Sequence, residues 1–153
     1  MKTLELKIPP PIIAIFTATV MWFAKDFAPI FDLALSARLI AAGVVLCLAG
    51  YFGIAGTIAF RRAKTTVNPL KPENSSSLVT SGVYRLTRNP MYLSFALILV
   101  AWMVYLSSIA LIAGPLLFAL YITRFQIQPE ECILQDIFGD AFTAYMLRTR
   151  RWL

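Results

Sequence analysis

Apolar and polar positions along this chain fall in long blocks rather than alternating residue by residue. One apolar block runs roughly over residues 8–31, a second over 39–60 without a charge, and a third over 91–123. A helix needs roughly 20 apolar residues to cross about 30 Å of hydrocarbon. The second block meets that length. The first has a short apolar core over 12–24, broken by Lys25 and Asp26, which can pair or snorkel at an interface. The third holds 33 residues and would reach about 50 Å as one helix, too long for a single crossing. It predicts a tight helical hairpin with arms over 91–106 and 109–125. Ser107-Ser108 is the expected turn, with Gly114-Pro115 as a kink or second turn candidate.

The ends of these blocks carry helix punctuation. Pro9-Pro10-Pro11 suits a helix entry, since proline is tolerated in a first turn. Gly43, Gly50, Gly53 and Gly56 line the second block and allow another helix to come close. Cys47 in the same block reads as a small buried hydrophobe. Arg61, Arg62 and Lys64 stop that helix at an interface. Residues 65–90 then form a polar loop too long for an idle connector. In the tail, Ile133, Leu134, Ile137, Phe138, Phe142, Tyr145 and Met146 recur at helical spacing, predicting an amphipathic helix over 129–147. The expected fold is all-α: one domain over 1–153 with about four membrane-spanning helices.

Composition agrees with a membrane protein. Hydrophobic residues make up 59% of the chain and its mean hydropathy is +0.72. The basic excess sets a topology. Lys2, Lys7, Arg61, Arg62, Lys64, Lys71, Arg85, Arg88, Arg124, Arg148, Arg150 and Arg151 fall on one side of the four-span arrangement, against Lys25 and Arg38 on the other. Basic residues concentrate on the cytoplasmic side, so both termini are expected there. Asn74-Ser75-Ser76 matches a glycosylation pattern, but that topology puts it on the wrong side. Lys2 and Lys7 before an apolar stretch resemble a signal peptide; no small-x-small site follows, so this stretch reads as a retained first helix. No basic stripe interleaves with aromatics, so nucleic acid is not an expected partner. The chain has no histidine, which excludes histidine bases, histidine metal ligands and Ser-His or Cys-His catalysis. The two cysteines have no metal-binding spacing, and no metal is expected.

Two stretches hold the candidate chemistry, and the topology brings both to one face. Asn89-Pro90 reads as an N-cap followed by proline at the first helical position. A helix N-terminus attracts anions, and Arg88 beside it can clamp a carboxylate or phosphate. Glu130 and Glu131 follow Pro129 at a second helix start. They either compensate the helix dipole or bind a cation or a pair of sugar hydroxyls. A zwitterionic ligand suits the two stretches together.

Leu78-Val79-Thr80-Ser81-Gly82-Val83-Tyr84, Arg88-Asn89-Pro90-Met91-Tyr92, Pro129-Glu130-Glu131 and Phe138-Gly139 with Tyr145 resemble the isoprenylcysteine carboxyl methyltransferase family. That family is similar in turn to the phospholipid N-methyltransferases. The resemblance covers about residues 65–153. It implies an integral membrane methyltransferase using S-adenosylmethionine, enclosed between the loop, the hairpin and the C-terminal segment. The implied cofactor contacts are Leu78, Val79, Tyr84, Asn89, Pro90, Met91, Tyr92 and Glu130, with Arg88 holding the cofactor carboxylate or fixing the loop. Two positions depart from the pattern. Asn89 stands where the eukaryotic enzymes usually have histidine. Gln126 stands where the family has a substrate-associated arginine, with Arg124 as a possible substitute. The implied acceptor is a membrane lipid or another lipophilic molecule entering from the bilayer. O-methylation of a carboxylate is the first expectation. N-methylation of an ethanolamine headgroup is the alternative, with Glu131 as its proton acceptor. A third expectation is a scaffold that keeps the fold without turnover.

Overall fold

A computed structural model describes residues 5–30, 33–63, 73 and 75–153. Lys2, Asp32, Lys64, Lys71 and Asn74 lie outside the described residues. The described residues are helical with no strand. Helix α1 is Pro10–Ala24, continued by a 3-10 turn at Lys25–Phe27; α2 is Leu35–Arg62; a 3-10 turn, Gly82–Arg85, precedes α3, Pro90–Leu106. A further 3-10 turn, Ile109–Ile112, leads into α4, Ala113–Ile122. One turn of π-helix, Thr123–Ile127, joins α4 to α5, Gln128–Arg148.

The boundaries follow local chemistry. Prolines stand in the first turns of α1, α3 and α5, where their missing N–H costs nothing. The hairpin turns at Ser107, whose backbone is left-handed (φ 59°), and its N–H donates back to Val104 at 3.1 Å. Ser108 Oγ donates to the Pro29 carbonyl at 2.7 Å, tying this turn to the end of α1. Gly114-Pro115 is not a turn: both residues lie inside α4. The tail helix is also not one straight rod. Gly139 breaks it at φ 50°, a left-handed conformation that glycine adopts without steric cost.

Two runs, Leu35–Arg62 and Ile109–Arg148, are long and apolar enough to cross a membrane, and α3 is a shorter apolar helix. Large apolar side chains are exposed around the bundle, among them Phe16, Phe23, Ile40, Ile54, Leu117 and Leu120. Such a surface is unstable in water and at ease in lipid. Lys25 pairs with Asp26 at 2.9 Å and sits over the Trp22 ring, as a charge at an interface should.

Helix α3 is the centre of the bundle and packs against α1, α2 and α4. Its closest partner is α2, whose buried residues are the small Ala42, Ala49 and Gly56, one every seven positions. Small residues let backbones approach in a membrane, where hydrophobicity does not hold helices together. Only one flank of α2 is covered, so Cys47 is exposed rather than buried, contrary to the expectation from its apolar surroundings. At Gly53 an added Cβ would lie 2.8 Å from Ser94 Oγ on α3. Gly53→Leu is therefore expected to push the helices apart and cost about 2 kcal/mol. A thermal melt of the purified protein checks this; an unchanged midpoint would contradict the packing.

Two clusters of buried side chains result. One fills the bundle with Met21, Leu99, Met103, Phe118 and Ile122. The other joins Val79, Val83, Tyr84, Phe142 and Tyr145, with Phe52, Phe60 and Leu134 against them. The second cluster fixes the loop before α3 against the kinked α5.

Candidate active site

Between the loop, the start of α3 and the start of α5 lies a cavity of about 100 Å³. Leu78, Val79, Tyr84, Asn89, Met91, Tyr92, Glu130, Arg88 and Glu131 all line it. These are nine of the twelve residues singled out from the sequence. Sites that enclose a whole ligand usually measure roughly 300–1,000 Å³, so this cavity has room for only part of such a ligand.

The three others are placed differently. Pro90 is buried against α2, where an added Cβ on Gly56 would meet its ring at 3.1 Å. Gln126 is 2% exposed and donates through Nε2 to Glu130 Oε1 at 2.6 Å. The π turn places Gln126 and Glu130 four residues apart on one face. Arg124 points away and pairs with Glu5 at 3.0 Å.

The adjacent glutamates have opposite surroundings. Glu131 is 13% exposed and gripped by Arg88 and Arg151, each at 2.6 Å. Burial alone would raise its proton affinity, but the hydrogen bonds from Arg151 and Arg88 outweigh it and hold the carboxyl below its usual range. A carboxylate held this way does not take a proton, which argues against Glu131 as the base. Glu130 accepts from Tyr92 Oη at 2.5 Å and from Gln126. Burial pushes its carboxyl up to about 7, although both hydrogen bonds favour the ionised form. Glu130 meets no guanidinium among the described residues.

Arg88 is a strut as much as a ligand. It donates to the carbonyls of Met146 at 3.3 Å and Thr149 at 2.5 Å as well as to Glu131. Its backbone N–H meets the Arg150 carbonyl at 3.0 Å. Asn89 stands at the N-cap position of α3, but its side chain does not cap the helix. Instead Nδ2 donates to the Arg151 carbonyl at 2.9 Å, beside Thr87 Oγ1, which donates to the same oxygen at 3.2 Å. The C-terminal residues 149–152 thus clasp the start of α3. Arg151 was not among the sequence candidates. The sequence marks it only as one of the basic residues that set the expected topology.

Two buried polar atoms of residues lining the cavity, Tyr84 Oη and Arg88 Nε, have no hydrogen-bond partner among the described residues. Tyr84 is 4% exposed and its backbone carbonyl accepts from Tyr145 Oη at 2.7 Å. Burial pushes the Tyr84 hydroxyl up, so it stays a protonated donor. An unsatisfied buried hydroxyl costs about 1–3 kcal/mol, which a polar ligand in the cavity would relieve. The cavity is thus lined by the Tyr84 hydroxyl and the Arg88 guanidinium as donors and by the Glu130 carboxylate. That set fits a ligand bearing an anionic group and a positive centre.

The chain belongs to the phospholipid methyltransferase family, whose model matches residues 37–141. It is a membrane methyltransferase, and enzymes of this family typically use S-adenosylmethionine. An uncharacterized protein of Haemophilus influenzae is 44% identical over 63 residues, 41% of this chain and the whole of that relative. No solved structure matches the chain.

Proposed function

We propose that the protein transfers a methyl group from S-adenosylmethionine to the amine of a membrane lipid headgroup. The observation that carries this reading is the Glu130 carboxylate, held by Tyr92 and Gln126 and facing a cavity with unpaired donors. Leu78, Val79, Tyr84, Asn89, Met91 and Tyr92 line that cavity and would hold the cofactor, with Pro90 locking α3 behind them. S-adenosylmethionine, when bound, supplies a methyl group whose C–S bond breaks with its electrons onto a positively charged sulfur. Tyr84 Oη and Arg88 Nε would hold the anionic end of the cofactor, and Glu130 its positively charged part. The neutral amine's lone pair forms the new N–C bond. The proton then carried by that nitrogen passes to the Glu130 carboxylate, whose affinity near neutrality suits the exchange. Glu131 positions Arg88 and Arg151 rather than taking protons.

A carboxylate acceptor, as in the isoprenylcysteine enzymes, needs a cation beside it. Gln126 is turned onto Glu130 and Arg124 onto Glu5, so the geometry favours the amine. We further propose four spans with both termini cytoplasmic in a bacterial inner membrane, the whole of 1–153 acting as one methyltransferase unit. The positive-inside distribution of the basic residues supports that orientation.

Membranes carrying the protein, given radiolabelled S-adenosylmethionine, are expected to label lipid rather than protein. Mass spectrometry should then show ethanolamine headgroups heavier in steps of one methyl. Label in a base-labile ester would favour the carboxylate acceptor, and cofactor binding without any transfer would favour a scaffold.

A further inference from the structure

Pro129 stands inside a helical run that continues from α4 through the π turn into α5. In an unbroken α-helix its ring would press on the Phe125 carbonyl four residues back, and its missing N–H would leave that carbonyl without a donor. The π turn, Thr123–Ile127, takes up this conflict: the Gln128 N–H donates five residues back, to the Thr123 carbonyl. Such a turn holds one residue more than an α turn. Relative to an unbroken helix, the extra residue rotates α5 by about 100°. In that rotation Glu130 meets Tyr92 Oη at 2.5 Å and Gln126, from the turn itself, at 2.6 Å.

A segment far away in sequence supplies the donor that Pro129 lacks. The Leu6 N–H donates to the Phe125 carbonyl at 3.0 Å. Leu6 does so from a left-handed backbone, φ 56°, which a side chain disfavours and which persists only where the surroundings hold it. Glu5 and Arg124, paired at 3.0 Å, hold it. Arg124 also lies over the Phe125 ring, 5.4 Å from its centre. The first residue of the turn is tied as well: Thr123 Oγ1 accepts from Trp152 Nε1 at 3.1 Å.

We propose that Glu5, Leu6 and Arg124 form a clip that holds the π turn, which makes them positioning residues for the Glu130 carboxylate. The inference rests on Glu130 as a residue of the cofactor site and adds what aims it. None of the three lines the cavity; they act through the rotation of α5. An ion pair as exposed as Glu5–Arg124 is weak by itself. The backbone bond from Leu6 is therefore the main tie, and the ion pair steers Leu6 into the turn that makes it. Once the clip opens, the π turn relaxes and Glu130 swings away from Tyr92.

The test follows the full chain in nanodiscs by S-adenosylhomocysteine affinity and by amide hydrogen exchange. Arg124→Glu sets two acids face to face; it should weaken binding about tenfold and raise exchange over residues 128–134 about fivefold. Glu5→Arg should do the same, and the two changes together should restore both readouts to within about twofold of wild type. Leu6→Pro can neither donate nor adopt the left-handed backbone and should match Arg124→Glu. Leu6→Gly can do both and should bind as wild type does.

A pH series separates aiming from mere loosening. Around Glu130 stand Tyr92 of α3, Tyr84 of the preceding loop, Glu131 of α5 and Arg88, which lines the same cavity. Between about pH 5.5 and 8.5 the tyrosines keep their protons while Glu131 and Arg88 keep their charges. A step in affinity near 7 therefore reports Glu130. It should vanish in Arg124→Glu and persist in Gly53→Leu, which loosens the bundle elsewhere. Unchanged affinity in Arg124→Glu, no rescue by the charge exchange, equal losses in Leu6→Pro and Leu6→Gly, or a step lost equally in Gly53→Leu would each overturn the proposal. If wild type itself does not bind S-adenosylhomocysteine, the cofactor reading of the cavity falls, and exchange over residues 128–134 decides the clip.

Discussion

Glu130→Gln is expected to weaken S-adenosylhomocysteine binding about a hundredfold and to stop methyl transfer. The substitution keeps the size of the side chain and its hydrogen-bonding reach. It removes the charge that faces the positive part of a ligand in a partly desolvated site, where charge-assisted contacts are strongest. The same carboxyl makes binding depend on pH. Its proton affinity is raised to about 7, so the ionised, binding-competent form dominates above that value. Affinity should fall about tenfold for each pH unit below 7 and level off above 8. The fold responds in the opposite sense. A carboxyl whose value rises from 4.5 in the unfolded chain to about 7 in the folded one favours the folded protein at low pH. That contribution is lost as pH rises through 7. Isothermal titration from pH 5.5 to 8.5 measures the binding side. Wild-type affinity that is flat across this range, or equal to that of the Gln variant, would remove Glu130 from the site.

Arg88→Met is expected to destabilise the protein by about 3–5 kcal/mol, the usual cost of removing one partner of a buried ion pair. The guanidinium serves Glu131 and the carbonyls of Met146 and Thr149 at once. Its loss leaves a carboxylate that is 13% exposed with Arg151 alone, and removes the side-chain ties to the Met146 and Thr149 carbonyls. The thermal midpoint should fall by roughly 10 °C, and cofactor binding should weaken because the wall carrying Asn89 loosens. Arg88→Lys should recover little, since an ammonium cannot span three acceptors in a planar fork. Adding Glu131→Gln to Arg88→Met should cost much less than Glu131→Gln alone does in wild type. Full additivity would show that the two groups do not act together.

Much of the site was legible because the motif residues sit close in sequence. Residues 78–92 form one loop and helix start, and nine of the twelve candidates do line one cavity. The division of labour between Glu130 and Glu131 was not legible. Neighbours on a helix point about 100° apart, and which of them meets the two arginines and which meets Tyr92 and Gln126 depends on the rotation of α5. That rotation is set by the π turn at Thr123–Ile127, which periodicity does not reveal. Arg151 was hidden for a similar reason. It meets Glu131 twenty residues upstream only because the chain folds back after α5. Asn89 reads as a helix cap from its place before Pro90, yet its side chain is drawn to the Arg151 carbonyl.

The chain by itself determined that this protein is helical, lives in a membrane and carries a polar site at the end of its apolar helices. Those properties are local: they follow from the length of apolar runs, from prolines at helix starts and from where basic residues gather. The tertiary structure decided which of two adjacent acids is gripped by arginines, which arginine is a strut and which flank of α2 stays open. These are matters of helix rotation and chain return, governed by packing between segments far apart in sequence.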